Sequence, residues 1–253
     1  MIKIHTHNAV TTITLNRPKK RNALTGEMIA GIQDGILSAE ADEGCRCLVI
    51  SGAGGHFAAG RDLGDASADT PLAEVIAYDD AYASIFQSLR RLSKPTVSAV
   101  EGYAVAGGFT LSMGCDFVIA ARDSLFGALE MRGGVPAAVN TAVLSHLVGP
   151  RQALELLLSA DTFDAEFLYR LGLINQLADD SNDLKSRTTA FTKKLTALDP
   201  LAVKLTKEIQ RAAMTMPISE ALVMAKQLNS LLMTSGKIDD AAEIYAKSRR
   251  ASN

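Results

Sequence analysis

Two glycine-bearing segments have the residue types and spacing from which a carbonyl-activating site can be built. They are His56-Phe57-Ala58-Ala59-Gly60-Arg61-Asp62-Leu63 and Glu101-Gly102-Tyr103-Ala104-Val105-Ala106-Gly107-Gly108. Each falls where an apolar strand should end. Together they can bring two backbone N–H groups to one point, the arrangement that stabilises a carbonyl oxygen as it gains negative charge. Gly107 and Gly108 precede a short helical pattern, Phe109-Thr110-Leu111-Ser112-Met113. A helix start leaves N–H groups unpaired, and glycine lets a ligand oxygen reach its amide with no side chain in the way. The same spacing also fits a plain strand-to-helix turn. Glu130 lies between Leu129 and Met131, close to Phe126, with little else that ionises before Arg132. In an apolar setting such a carboxylate can exchange a proton near neutrality, whereas on an exposed loop it is only a solvated charge.

The elements that must position these groups alternate along the first two thirds of the chain. Residues 2–6 and 10–15 alternate apolar and polar around Asn8-Ala9, the pattern of a hairpin with one buried face. Thr25 can cap a helix whose apolar positions are Met28, Ile29, Ile32, Ile36 and Leu37. Cys47-Leu48-Val49-Ile50-Ser51 reads as a short buried strand, a helix is expected over 71–92, and Thr96-Val97-Ser98-Ala99-Val100 and Phe117-Val118-Ile119-Ala120 repeat the strand pattern. This alternation predicts an α/β core whose sheet faces are covered by helices. Beyond Asp179-Asp180-Ser181-Asn182-Asp183 the strands stop, and helical patterns occupy 184–198, 201–214, 218–233 and 238–249. The division is therefore expected between a core, 1–180, and a C-terminal helical region, 181–253. Leu222, Met224, Leu228, Leu231, Leu232 and Met233 fit either packing on the core or contact between subunits.

Composition removes several classes of function. At 253 residues the chain can bury a substantial core, and 26 Lys and Arg against 28 Asp and Glu give a formal charge of −2 with no global attraction to nucleic acid or an anionic membrane. Cys45, Cys47 and Cys115 lack bridge or zinc spacing and read as reduced, buried thiols. The four histidines have no carboxylate or cysteine at metal-ligand spacing, so no metal is expected. His5 and His7 are expected on one strand face. No Gly-x-Ser-x-Gly elbow, phosphate loop or dinucleotide fingerprint is present. The first residues lack the form of a signal peptide, and no apolar stretch approaches the roughly 20 residues of a membrane span. A cytoplasmic location is the expectation.

The order of Asn16-Arg17-Pro18, Asn22-Ala23-Leu24, the Phe-Ala-Ala-Gly-x-Asp run, the Gly-Tyr-Ala-x-x-Gly-Gly run, Cys115 to Ala120, Phe126-Gly127 and the segment 165–176 resembles the enoyl-CoA hydratase/isomerase (crotonase) superfamily. The resemblance implies a spiral of repeated β-β-α units and a coenzyme A thioester as substrate, with no tightly bound cofactor. It also implies trimers, often paired as hexamers. By resemblance, the amides of Arg61 and Gly107 hold the thioester oxygen, and any residue type can supply the former. The Arg61 guanidinium is either a solvated cation or a partner for a ligand phosphate. Of the two glutamates common in the family's hydratases, the first position falls on Thr110 and the second on Glu130. Thr110 is no base near neutrality, though it could hold water or substrate. Ala137 follows Pro136 where some dehalogenases and isomerases carry Asp.

The resemblance further places backbone near Ala59, Asp62 and Leu63 at the adenine end of coenzyme A, with Asp62 ordering the loop. Lys20 and Arg21, beside Asn22 and Ala23, fall near its phosphates, although Lys19-Lys20-Arg21 fits a solvated turn as well. One carboxylate suits isomerisation of an enoyl thioester better than two-glutamate hydration. Thioester hydrolysis, C–C cleavage or decarboxylation on the same scaffold, and a non-catalytic acyl-CoA binder, are the rival readings. The acyl group would be met by the segment 64–82 and neighbouring helices.

Overall fold

The computed structural model describes residues 1–62, 64 and 69–234. The chain enters through an antiparallel hairpin, β1 (Ile2–His7) and β2 (Val10–Leu15), in register from Ile2 opposite Leu15 to His7 opposite Val10. Its turn residues Asn8 and Ala9 both take positive φ, 49° and 61°, as a two-residue loop matched to the strand twist requires. The buried face of the hairpin belongs mainly to β2, with Thr11, Ile13 and Leu15 inward, because β1 is the sheet edge. His5 and His7 do share a face, their rings 6.2 Å apart.

A 3-10 turn (Pro18–Lys20) leads to α1 (Gly26–Ala41), where the Thr25 hydroxyl accepts from the Met28 N–H. Met28, Ile29, Ile32 and Ile36 point inward, while Leu37, one step further round the helix, is turned out. Next come β3 (Cys47–Gly52), α2 (Leu72–Arg91), β4 (Thr96–Val100), β5 (Tyr103–Val105), α3 (Gly107–Met113), β6 (Phe117–Ala121), β7 (Leu125–Gly127), α4 (Ala138–Leu144), α5 (Pro150–Leu158), β8 (Phe163–Asp164), α6 (Ala165–Arg170), β9 (Gln176–Ala178) and α7 (Ser181–Thr196). The main sheet runs β1-β2-β3-β4-β6-β9, parallel from β2 onward, and β5-β7-β8 form a second sheet. The runs β4-β5-α3 and β6-β7-α4 each send one strand to either sheet before a helix, the repeating unit of a β-β-α spiral.

Alternation along β3 explains why it reads as an unbroken apolar run. Leu48 and Ile50 join a core with Met28, Ile32, Ile85, Leu89 and Phe109, whereas Cys47 and Val49 join Val97, Ile119, Ala178 and Leu184 on the opposite face. A parallel strand covered on both sides favours apolar residues on both faces, and the polar ones that β4 buries, Thr96 and Ser98, donate their hydroxyls to Asp116 and to the Ser112 carbonyl. The second of these layers includes α7: Leu184 is buried, and Phe191 meets Phe117 edge-on at 5.0 Å. Accordingly the chain divides into the units Met1–Asp199 and Pro200–Asn253, so α7 falls with the core rather than with the helices after it. Helical periodicity reports an apolar face but not which element covers it.

The second unit contains α8 (Pro200–Ala213) and α9 (Ile218–Met233), and α9 exposes Ile218, Leu222, Val223 and Leu231. The helix expected over 238–249 lies outside the described residues. No disulfide joins Cys45, Cys47 or Cys115, and all three are buried. Among the described residues no helix is long and apolar enough to cross a membrane, and no group of three His, Cys, Asp or Glu side chains is placed to hold a metal ion.

Candidate active site

The first glycine segment is shaped by Asn22, which is fully buried with φ +55°. Its Oδ1 accepts from the Arg17 N–H at 2.8 Å, and its Nδ2 donates to the carbonyls of Ala53 (3.0 Å) and His56 (2.7 Å). Asparagine tolerates the left-handed region and can satisfy three backbone groups at once. Asn22→Ala is expected to lower the unfolding free energy by about 2–4 kcal/mol, because it orphans buried carbonyls and leaves alanine at positive φ. Urea titration measures this, and a loss below about 1 kcal/mol would mean that the loop holds itself.

From this anchor the chain runs to Gly60 (φ +91°) and Arg61. Arg61 lies beside Leu24 in a parallel bridge: the Leu24 N–H donates to Gly60 O at 2.7 Å and the Asp62 N–H to Leu24 O at 2.9 Å. That pattern turns the Arg61 N–H away from Leu24. A Cβ on Gly60 would lie 2.7 Å from Ala106 Cβ and 3.2 Å from Gly107 N, so the two segments touch. A Cβ on Gly108 would lie 2.1 Å from Ala58 O, which leaves room only for glycine. Neither the Arg61 nor the Gly107 N–H donates to a protein group among the described residues.

Ala106, just before the helix α3, holds φ +50° and ψ −126°, a strained backbone for alanine. Its carbonyl accepts from the N–H groups of Phe109 (2.9 Å) and Thr110 (3.2 Å), from the Thr110 hydroxyl (3.4 Å) and from Asn140 Nδ2 (3.1 Å). The hydroxyl of Tyr82, from α2, donates to Gly107 O. Burial pushes the Tyr82 hydroxyl far above its ordinary value, outweighing the opposing hydrogen bond with Thr110, so it stays a neutral donor. Thr110 is 1% exposed, and its hydroxyl belongs to this support. The Thr110 side chain thus lies against the Ala106 carbonyl beneath the loop.

Glu130 follows β7 on a 3-10 turn (Leu129–Gly133) and is half-buried. Its Oε1 accepts from Asn140 Nδ2 at 2.8 Å, while its Oε2 is buried with no partner among the described residues. The same Asn140 amide also binds the Ala106 carbonyl, so Glu130 and the Ala106–Gly107 peptide belong to one hydrogen-bonded cluster. Ala137, in the position considered for a second carboxylate, is 4% exposed and supplies none.

The remaining predicted residues form a second cluster on the Asn22 loop. The Ala59 N–H donates to Arg21 O at 3.0 Å, Arg17 donates to Ala23 O at 3.3 Å, and Arg17 pairs with Asp62. The Gly64 N–H and then the Arg17 guanidinium hold the Asp62 carboxyl below the usual carboxylate range. Lys20 and Arg21 are exposed, with the Arg21 guanidinium 4.9 Å from the Tyr103 ring centroid. The Arg61 guanidinium stacks 3.6 Å from the Tyr78 ring centroid and pairs with Asp79 at 3.4 Å. Leu63 lies outside the described residues. Sequence reasoning missed Tyr82 and Asn140. Tyr82 shares the helical spacing of Ile85 and Leu89 and reads as plain core, whereas Asn140, a lone amide in the apolar run Ala138-Val139-Asn140-Thr141-Ala142-Val143-Leu144, was the one available signal.

The family model described as Enoyl-CoA hydratase/isomerase matches residues 5–252. A putative enoyl-CoA hydratase of Thermus thermophilus is 30% identical over 242 residues, covering 95% of both chains. The 1,2-epoxyphenylacetyl-CoA isomerase of Escherichia coli is 30% identical over 249 residues, covering 97% of this chain and 95% of its own. The crystal structure of an enoyl-CoA hydratase from Mycobacterium smegmatis superposes with a TM-score of 0.91 at 25% identity, covering 97% of this chain and 96% of that one.

Proposed function

This chain belongs to the enoyl-CoA hydratase/isomerase family and is an acyl-CoA-processing enzyme, and from that premise we propose that it shifts the double bond of an enoyl-CoA thioester with a single carboxylate. The observation that carries this reading is Glu130 Oε2, a buried carboxylate oxygen without a donor among the described residues, in the cluster that contains the Gly107 peptide. The thioester oxygen would accept from the N–H groups of Arg61 and Gly107. Glu130 Oε2 takes a proton from the carbon next to the carbonyl, the charge passes to that oxygen as a dienolate, and Glu130 returns the proton further along the chain. Atoms and charge balance without a second acid, a metal or a redox partner. Thr110 and Ala137 leave no second carboxylate of the kind a two-glutamate hydration uses.

The coenzyme A portion is assigned to the Asn22 loop: Ala59, Asp62 and Leu63 toward the adenine, with Lys20, Arg21 and Ala23 toward the phosphates, where exposed cations suit a polyanion. The exposed apolar residues of α9 support assembly as a homotrimer or hexamer. The test is a panel of 2-enoyl and 3-enoyl thioesters of coenzyme A, followed by mass and by the ultraviolet band of the conjugated thioester. Movement of the double bond at constant mass is the expected result. Gain of water would assign hydration, release of free coenzyme A would assign hydrolysis, and inertness toward the whole panel would sink the reading.

A further inference from the structure

Asn140 is 1% exposed on the short apolar helix α4, and packing alone gives no reason for an amide there. Both acceptors that face its nitrogen, Ala106 O at 3.1 Å and Glu130 Oε1 at 2.8 Å, are oxygens without a hydrogen to give. The amide orientation is thus fixed by chemistry: the two N–H bonds of Nδ2 are both used, one on each partner. Its own Oδ1 is buried with no donor among the described residues, so the side chain is not there to satisfy itself.

Each of the two bonds has a directional consequence. Holding Oε1 of Glu130 leaves Oε2 as the oxygen able to receive a proton. Holding Ala106 O fixes the plane of the Ala106–Gly107 peptide, and in a trans peptide the N–H points opposite to the C=O. The side chain that orients the carboxylate is thus also, among the described residues, the one group from outside helix α3 that holds the Ala106 carbonyl, beside the N–H groups of Phe109 and Thr110 and the Thr110 hydroxyl, and so shares in setting the Gly107 N–H direction. Ala106, at φ +50°, has a backbone that relaxes unless its carbonyl is held. From this we infer that Asn140 is a positioning residue that couples the proton-moving group to the carbonyl-polarising amide, so that its loss disables both at once. The inference rests on the acyl-CoA reading above and deepens it.

Two readouts separate the two effects. Exchange of the α-proton of a saturated acyl-CoA in deuterium oxide reports Glu130 acting with the amides. The red shift of a conjugated aryl-enoyl-CoA on binding reports only polarisation of its carbonyl. Asn140→Leu keeps the branching without the donors and suits an apolar helix, and Asn140→Ala guards against a packing artefact of the first variant. Both are expected to slow exchange by about 100-fold, the scale of a misplaced reacting group, and to lose most of the red shift, with acyl-CoA affinity within about threefold of the parent. Glu130→Gln is expected to abolish exchange and keep the shift. Exchange and shift both preserved in the Asn140 variants would overturn the inference. So would lost exchange with the full shift retained, because Asn140 would then serve Glu130 alone. A parent protein that neither exchanges nor shifts the probe marks failure of the acyl-CoA reading itself, and is told apart because it needs no variant.

Discussion

Glu130→Gln is expected to lower turnover by about 10²- to 10⁴-fold, the usual contribution of a positioned acid or base, while leaving the fold and acyl-CoA affinity intact. Glutamine keeps the shape of the side chain, and its carbonyl oxygen can still accept from Asn140 Nδ2. The difference lies at the other atom, where an NH₂ would replace Oε2 and could not take up a proton. The change therefore removes one chemical capacity and little else. Steady-state assay on the reactive thioester from the panel, with Kd for a saturated acyl-CoA measured beside it, gives the answer. Undiminished turnover would remove Glu130 from the mechanism.

The second large effect is steric. A Cβ added to Gly108 would lie 2.1 Å from Ala58 O, 2.7 Å from Ala58 C and 2.9 Å from Ala58 Cβ, all belonging to the opposing loop. Restoring ordinary contact needs a separation on the order of 1 Å between the segments that carry Arg61 and Gly107, and displacements of that size at reacting groups cost about 10²-fold. Gly108→Ala is accordingly expected to lower kcat/KM by about 10²- to 10³-fold, the range for loss of one polarising donor. Gly26→Ala, whose added Cβ meets nothing within 4 Å, is the matched control and should behave as the parent. Thermal melts of both variants separate local displacement from unfolding. Activity within about threefold of the parent in a folded Gly108→Ala protein would show that close approach of the two loops is not what shapes the site.

The parts of this architecture visible in the sequence are those whose cause is local. β3 and β6 are legible because a strand buried on both faces reads as a near-continuous apolar run, β4 because β-branched and small residues fill a short segment after Pro95, and α1 because Thr25 supplies the cap and four inward residues recur at helical spacing. The glycines at 60, 107 and 108 are legible as places where chain meets chain. What stayed hidden depends on residues distant in sequence. The Arg61 guanidinium is claimed by Tyr78 and Asp79 across an intervening segment. Thr110 is absorbed by Ala106 and Tyr82, and nothing in its neighbours along the chain says so. Asn140 matters only because helix α4 lays it against both the Ala106 carbonyl and the Glu130 carboxylate, and no period or spacing encodes that meeting. Helix α7 is a related case: its apolar face is plain, but the sheet that covers it is not adjacent in sequence.

The burial of the cysteines on two sides of one sheet gives the molecule an internal gauge of how it opens. Cys45 belongs to the layer that includes α1 and α2, whereas Cys47 faces the layer closed by α7. A thiol reagent reaches either sulfur only when its layer has parted, so labelling rates in native buffer measure the opening free energy of each layer separately. Equal rates would describe a core that comes apart as a unit. A faster Cys47 would describe α7 lifting from the sheet while the layer beneath the two glycine loops stays closed.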